Sequence, residues 1–489
     1  MDAPSELVRR LRDRFAQTGY TTEGVRERLG ETAVAALERE EIVPALRATR
    51  DGDPLATLVR LWWLGAPVSM AAADLPLHDL IEAGLLVRLG DSVQATVHVR
   101  PWDTRTGEAA WVVSDRKVRP GDPSIRADHV VGAGGASASL AQLGWTAPVG
   151  RALDLGTGCG VQVLHLAGRA DRIVATDVNR RALRLARLSW GLSGVPEVDA
   201  REGSMYDPVA GERFDLVVSN PPFVISPALR YAYRESDFQA DDFCRELVRL
   251  APRHLEQGGH GRFLANWLHV KGEDWQDRVG GWLTGTGCDG WAVQRDVQDP
   301  AEYVELWLRD SAEQGTPAYR DRYDEWLAWF ESMDVTGVGF GWIALHQSGA
   351  LDPVVRVEEL PQQVEPPVGA LVDDVLQAAR TAHRITDDAL LDAALLIAEG
   401  VVEERIGPPG ADDPSRILLR QTGGLRRTVP VGTVEAALAG VCDGDLPTRP
   451  LLAAIAELIG EDPEALPARA TGALRSLVAG GFLRVASPR

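Results

Sequence analysis

Lysine and cysteine are nearly missing from this 489-residue chain, and so is any long apolar run. Lysine occurs only at Lys117 and Lys271, so almost all positive charge is arginine, a skew that reflects codon bias rather than a binding role. Cys159, Cys244, Cys288 and Cys442 are widely scattered with no C-x-x-C pair, which argues against a zinc site, a redox pair or structural disulfides, and no metal is expected. No segment approaches the ~20 apolar residues of a membrane helix, which excludes a helical membrane protein. Net positive charge is lacking too. A formal charge of -20 argues against a broad electrostatic grip on nucleic acid, while leaving a local basic patch open. The start, Met1-Asp2-Ala3-Pro4-Ser5-Glu6, has neither the basic stretch nor the apolar run of a secretory signal, so a cytoplasmic location is expected.

What is present fits a soluble globular protein, with 45% hydrophobic and 25% charged residues. At about 150 residues per domain the length suggests roughly three units. From Ser5 to about Leu89 apolar residues recur at helical spacing, as in Leu7-Val8-Leu11-Phe15 and Ala56-Leu58-Val59-Leu61-Trp62. Leu75 to Val87 reads as another helix, followed by β-like runs at Ser92–Val99 and Trp111–Asp115. Helices followed by a β-pair resemble a winged helix, a module used for nucleic acid and equally for dimerisation or docking; an evident basic recognition helix is lacking. Past Leu351, Pro353, Pro361, Pro366 and Pro367 among acidic residues suggest a linker. Helical patterns return at Val372–Ala382, Asp387–Glu399, Val434–Val441, Leu451–Leu458 and Ala470–Ala479. The ending Gly480-Gly481-Phe482-Leu483 echoes Ala83-Gly84-Leu85-Leu86 and suggests a second winged-helix-like unit. The expected division is 1–124, 125–350 and 370–489.

The chemistry concentrates in the middle. In Arg151-Ala152-Leu153-Asp154-Leu155-Gly156-Thr157-Gly158-Cys159-Gly160-Val161-Gln162 an apolar strand enters a glycine-dense turn, and a helix begins at about Val161. Such a turn allows close ligand approach, and the helix start offers free N–H groups to a dinucleotide pyrophosphate or to the methionine part of S-adenosylmethionine. A second strand, Arg172–Thr176, ends in Asp177 about twenty residues beyond the turn, where a carboxylate can accept from ribose hydroxyls. The plainer alternative is that Asp177 caps the next helix, although Asn179 is itself a good N-cap. A nicotinamide-dependent dehydrogenase would share both features. The strand Phe214–Ser219 decides against it, because it runs straight into Asn220-Pro221-Pro222-Phe223 and so places Asn220 at the mouth of the crevice beyond the strand ends.

With these motifs in this order, the chain resembles the N-methyltransferases that carry an Asn-Pro-Pro-aromatic motif. They include release-factor glutamine, small-domain rRNA guanine and adenine-N6 methyltransferases. The resemblance is clear over about Arg151 to Trp267. It implies an α/β fold with a Rossmann-like class I methyltransferase sheet, flanked here by the helical, winged-helix-like segments. It implies S-adenosylmethionine as cofactor, held by Asp154, Gly156, Thr157, Gly158, Gly160, Asp177, Val178, Ser204, Met205 and Asn220, with Ser204 and Met205 flanking the adenine. Asn220, Pro221, Pro222 and Phe223 would be the catalytic set. A planar nitrogen is a poor nucleophile because its lone pair is delocalised. Hydrogen bonds from its N–H2 group to the Asn220 side-chain oxygen and the Pro221 carbonyl would help localise that pair and aim it at the methyl carbon, with no strong base required. The prolines hold that carbonyl at low entropic cost, and Phe223 would stack on the flat acceptor.

Two further segments have double readings. Asp128 to Gly135 forms part of the cofactor-pocket lid or a flexible connection, and Ser226 to Arg234 covers the substrate or is an ordinary surface loop. Phe238–Leu255 reads as an amphipathic helix and Gly261–Asn266 as the next strand. Further strands are expected at Trp291–Arg295 and Gly341–Leu345. Between them lies the aromatic helix Tyr319–Phe330, whose Trp326, Trp329 and Phe330 are expected in the core. The acceptor is a planar amide or exocyclic amino nitrogen, on a macromolecule (a protein glutamine or a nucleic-acid purine) or else on a small molecule or peptide of a biosynthetic pathway. A non-catalytic winged-helix regulator that binds S-adenosylmethionine is the alternative from another class, which an intact Asn220-Pro221-Pro222-Phe223 argues against. The flanks leave room for a homodimer.

Overall fold

A computed structural model describes residues 3–104, 107–117, 126–144, 147–195, 197–222, 224–227, 240–311, 313–410 and 413–486. These fall into two compact units: Met1–Ala141 with Ala147–Trp275 and Val297–Gly339, and Gln142–Thr146 with Gln276–Asp296 and Phe340–Arg489.

The first unit is built on parallel strands that we number β1 (Val149–Leu155), β2 (Ala170–Asp177), β3 (Asp199–Glu202), β4 (Phe214–Ser219) and β5 (Leu255–Val270). They lie in the order β5-β4-β1-β2-β3. Leu155 sits opposite both Ser219 and Thr176, so β1, β2 and β4 end at one edge. The order reverses between β1 and β4, which is where open α/β sheets bind ligands. Buried on both faces, the central strands β1, β2 and β4 contain continuous apolar runs, and Leu153, Ala175, Phe214 and Val217 are fully enclosed.

The helix Arg180–Leu192 covers the sheet and carries an N-terminal layer on its other side. Asn179 caps it, its side chain accepting from Arg181 N at 2.9 Å. Gly191 lets the helix Ser5–Gln17 approach closely, since a Cβ there would lie 3.0 Å from Val8. Ser189 and Ser193 accept from the backbone N–H groups of Val113 and Trp111, both at 2.9 Å. These two residues belong to the antiparallel hairpin Val97–Asp103 and Ala109–Asp115. Around the hairpin, Phe15, Tyr20, Trp62 and Trp111 form a buried aromatic cluster, in which Trp111 Nε1 donates to Tyr20 O at 2.8 Å.

At the end of the hairpin, the buried Asp115 carboxylate receives a bidentate pair of bonds from Arg181, with Nε at 3.0 Å from Oδ2.

Leu75 to Val87 is not one helix. The helix Leu77–Glu82 stops before Gly84, whose φ of 71° is left-handed, and the chain continues as the strand Leu86–Leu89. With Val68–Ser69 and Ser92–Ala95 that strand forms a small antiparallel sheet.

In the second unit the helices Gly369–Arg384, Thr433–Ala439, Thr448–Ile459 and Leu466–Ala479 stand where the periodicity places them, around a core that includes Leu390, Leu395, Leu452, Leu474 and Phe482. Asp387–Glu399 is only half helical. Asp387–Asp392 is a helix, and Ala394–Ile397 is a strand between Asp443–Pro447 and Leu483–Val485. The proline-rich stretch after Leu351 contains the strand Val355–Glu359, paired in parallel with Asp289–Gln298. An antiparallel meander, Val401–Ile406, Arg416–Gln421 and Thr428–Val431, was not expected.

Removing one partner of a buried ion pair strands the other charge. Arg181→Met is therefore expected to lower the unfolding free energy by about 3–5 kcal/mol, and Asp115→Asn in the same chain to restore part of it. Urea unfolding of the two variants checks this.

Candidate cofactor and acceptor site

Beyond the aligned strand ends lies a cavity of about 480 Å³, lined entirely by residues of the first unit. Its floor is the turn after β1. Gly156, Gly158 and Gly160 have φ of 73°, 55° and 82°, in the left-handed region that favours glycine. At Gly160 the constraint is also steric, because a Cβ would lie 2.5 Å from Trp190 Nε1. That indole instead donates to Gly160 O at 2.9 Å, and Ser189 Oγ donates to Cys159 O at 2.9 Å. The helix Arg180–Leu192 thus holds the turn from beneath, while Gly156 and Thr157 donate from above to Thr176 O, each at 2.9 Å.

Two of the three aspartates that line the cavity, Asp154 and Asp177, stand at the ends of β1 and β2, and the third is Asp310. Asp154 is almost fully enclosed; its Oδ2 accepts from Thr157 Oγ1 at 2.6 Å, and its Oδ1 has no partner among the described residues. Burial pushes its pKa up to about 7; the Thr157 hydroxyl opposes the rise and the charge of Asp177 adds to it. Asp177 accepts from Asn179 N at 2.8 Å and from Gly158 N at 2.9 Å. Desolvation holds its carboxyl above the usual range against those two donors. Asn179, not Asp177, caps the helix, and Asp177 is among the residues that line the cavity.

Opposite the turn, β4 ends in Ser219, whose hydroxyl donates to Leu155 O at 2.7 Å and ties the crevice to β1. Asn220, Pro221 and Pro222 line the cavity directly after it. On a third side stand Ser204 and Met205, from a loop with unusual backbone. Met205 has φ of 44°, and a Cβ at Gly203 would meet Pro208 at 2.5 Å.

Of the residues singled out in the sequence, the cavity gathers Asp154, Gly156, Thr157, Gly158, Asp177, Val178, Ser204, Met205, Asn220, Pro221 and Pro222. Gly160 lies just beneath it. Phe223 and residues 228–234 lie outside the described residues. The segment Asp128 to Gly135 contributes His129 through Gly132 to the lining. It is held by bonds from Val130 N to Asp115 Oδ2 at 2.9 Å and from Asn179 Nδ2 to Asp128 O at 3.0 Å. Missed in the sequence were Gln162 and Ser137, joined by a bond from Nε2 to the carbonyl at 2.9 Å, and Phe243, Trp307 and Asp310. The last three come from helices without any motif.

The glycine turn, the strand-end acid and the Asn-Pro-Pro crevice all lie within residues 135–272, which match the family model described as "Methyltransferase small domain". Residues 17–96 match a second model, described as a domain of unknown function (DUF7059). Over 121 residues the chain is 35% identical to a release factor glutamine methyltransferase of Xylella fastidiosa, covering 22% of this chain and 44% of that protein. Over 119 residues it is 32% identical to a ribosomal RNA small subunit methyltransferase C of Salmonella arizonae, covering 24% and 31%. The chain thus spans half or less of the length of these relatives. Among solved structures it is similar to the YcgJ protein of Bacillus subtilis, with 13% identity and a TM-score of 0.29 over 43% of this chain and 97% of that one.

The raised acid at Asp154 has a definite pH signature. Its contribution to stability is full below the ordinary carboxylate pKa of 3.8 and is lost as pH rises through the folded value of about 7. Without added ligand, Asp154→Asn is therefore expected to be as stable as the wild type near pH 4 and more stable at pH 8, by roughly 4 kcal/mol. Urea denaturation across that range reads the difference.

Proposed function

We propose that the protein is an S-adenosylmethionine-dependent methyltransferase acting on a planar amide or exocyclic amino nitrogen of a macromolecule, either a protein glutamine or a nucleic-acid purine. One observation carries this: a single cavity joins the glycine turn, two acids and Asn220-Pro221. The unpartnered Asp154 Oδ1 suits a cationic ligand, and the Asp177 carboxylate, lining the same cavity at the end of β2, suits a pair of ribose hydroxyls. Bound there, S-adenosylmethionine would supply an electrophilic methyl group on a sulfonium.

The chain's own residues would do the rest. The backbone of Gly156 to Gly160 cradles the methionine part, Asp177 and Val178 hold the ribose, and Ser204 and Met205 border the adenine. The Asn220 side-chain oxygen and the Pro221 carbonyl accept from the acceptor's amino group, which localises its lone pair and orients it. Two fixed φ angles hold that carbonyl without reorganisation. Phe223 is assigned as the stacking partner of the acceptor. The curated relatives act, by name, on a protein and on an RNA, which favours a macromolecular acceptor here over a small molecule. A cytoplasmic location suits such acceptors. Segments 1–124 and 370–489 are then winged-helix-like parts that dock the acceptor or pair two copies.

Calorimetric titration with S-adenosylmethionine should give a micromolar Kd, weakened at least tenfold in Asp177→Ala. Tritiated methyl from the cofactor should enter the protein or nucleic-acid fraction of a cell extract. Asn220→Ala should cut that transfer by about 100-fold or more, measured at saturating S-adenosylmethionine so that any loss of cofactor affinity is separated from it. Absence of cofactor binding would overturn the proposal, and label confined to small molecules would reassign the acceptor.

A further inference from the structure

We infer that Tyr303 and Trp326, on helices outside the matched segment, are positioning residues that fix the Asn220-Pro221-Pro222 crevice by clamping the backbone of Ile225. The inference rests on the methyltransferase reading above. Ile225 is 1% exposed and belongs to neither helix nor strand, so its backbone N–H and carbonyl need partners from elsewhere. Two side chains supply them. Ile225 N donates to Tyr303 Oη at 2.8 Å, and Trp326 Nε1 donates to Ile225 O at 3.0 Å. The partners lie 78 and 101 residues further along, on the helices Pro300–Asp310 and Tyr319–Ser332.

The crevice needs such a tether. Beyond Ser219 the β4 ladder has ended, and Pro221 and Pro222 have no N–H with which to continue it. The clamp grips the chain three residues past Pro222. It is stiff, because Tyr303, Trp326 and Phe330 are all buried and the phenol ring meets the other two edge-on, at 6.3 and 5.8 Å. Asn266 of β5 also donates from Nδ2 to the phenol oxygen at 3.4 Å, which references the clamp to the sheet. On the same helix as Tyr303, Trp307 lines the cavity, so one rigid element sets both the crevice and a wall beside it. An acceptor nitrogen held by an amide oxygen and a carbonyl reacts well only within a fraction of an ångström of its proper place.

Tyr303→Phe and Trp326→Phe keep the rings and delete one hydrogen bond each. In the full-length protein, hydrogen–deuterium exchange of the peptide containing Ile225 should quicken at least tenfold in Tyr303→Phe. Transfer of tritiated methyl to the extract fraction labelled by the wild type should fall about 10- to 100-fold in kcat for either variant, with the S-adenosylmethionine Kd within twofold. Unchanged turnover, unchanged exchange, or a loss of turnover matched by an equal loss of cofactor affinity would each overturn the clamp. Wild-type protein that transfers no methyl group would overturn the underlying function, and this role with it.

Discussion

The packing of the helix Arg180–Leu192 against the glycine turn is the contact on which the rest of the site depends. Trp190 occupies the space where a Cβ of Gly160 would lie and bonds to that residue's carbonyl, while Ser189 bonds to Cys159. A turn in the left-handed region has no ladder of its own to keep it open. Here its outline is imposed by side chains beneath it and by the bonds of its own N–H groups to Thr176, Asp177 and Thr157. The same helix is capped by Asn179, two residues after Asp177, so one rigid element sets the height of the turn and the position of the strand-end acid together.

On that foundation the site takes support from two directions. From one side the hairpin ending at Asp115 holds Val130 against the cavity and is itself held by Arg181. From the other, the aromatic helices grip Ile225 beyond the Asn-Pro-Pro crevice. The cavity between them is lined by the glycine turn, by Asp154, Asp177 and Asp310, and by Asn220, Pro221 and Pro222. The acids differ in their surroundings: Asp177 is met by two backbone donors, whereas Asp154 keeps one oxygen unpartnered among the described residues.

Much of the central unit was legible in the residues, and the reasons are physical. Phe214–Ser219 is bounded by polar residues before it and by Asn-Pro-Pro after it, so its limits can be read directly. The turn at Gly156–Gly160 is legible because left-handed backbone restricts which residues can stand there. Short apolar runs carry less. Ala394–Ile397 continues a helical pattern and still folds as a strand, since four apolar residues suit either period and the neighbouring strands decide. The meander over 401–431 escaped notice because Val401-Val402-Glu403-Glu404-Arg405-Ile406 is largely exposed and has no alternating apolar face. Tyr303 and Trp326 could be read only as core aromatics. Their partner is a backbone far along the chain, and no side-chain motif records such a bond.

The helix Arg180–Leu192 is clasped on both faces, by the cofactor turn and by the hairpin and first helix of the N-terminal layer. The matched segment 135–272 is thus not a freestanding cassette. Excised, it would expose the apolar flank of that helix to water and leave Arg181 without its acid, so any graft of this cofactor site onto another scaffold would have to carry the N-terminal layer with it.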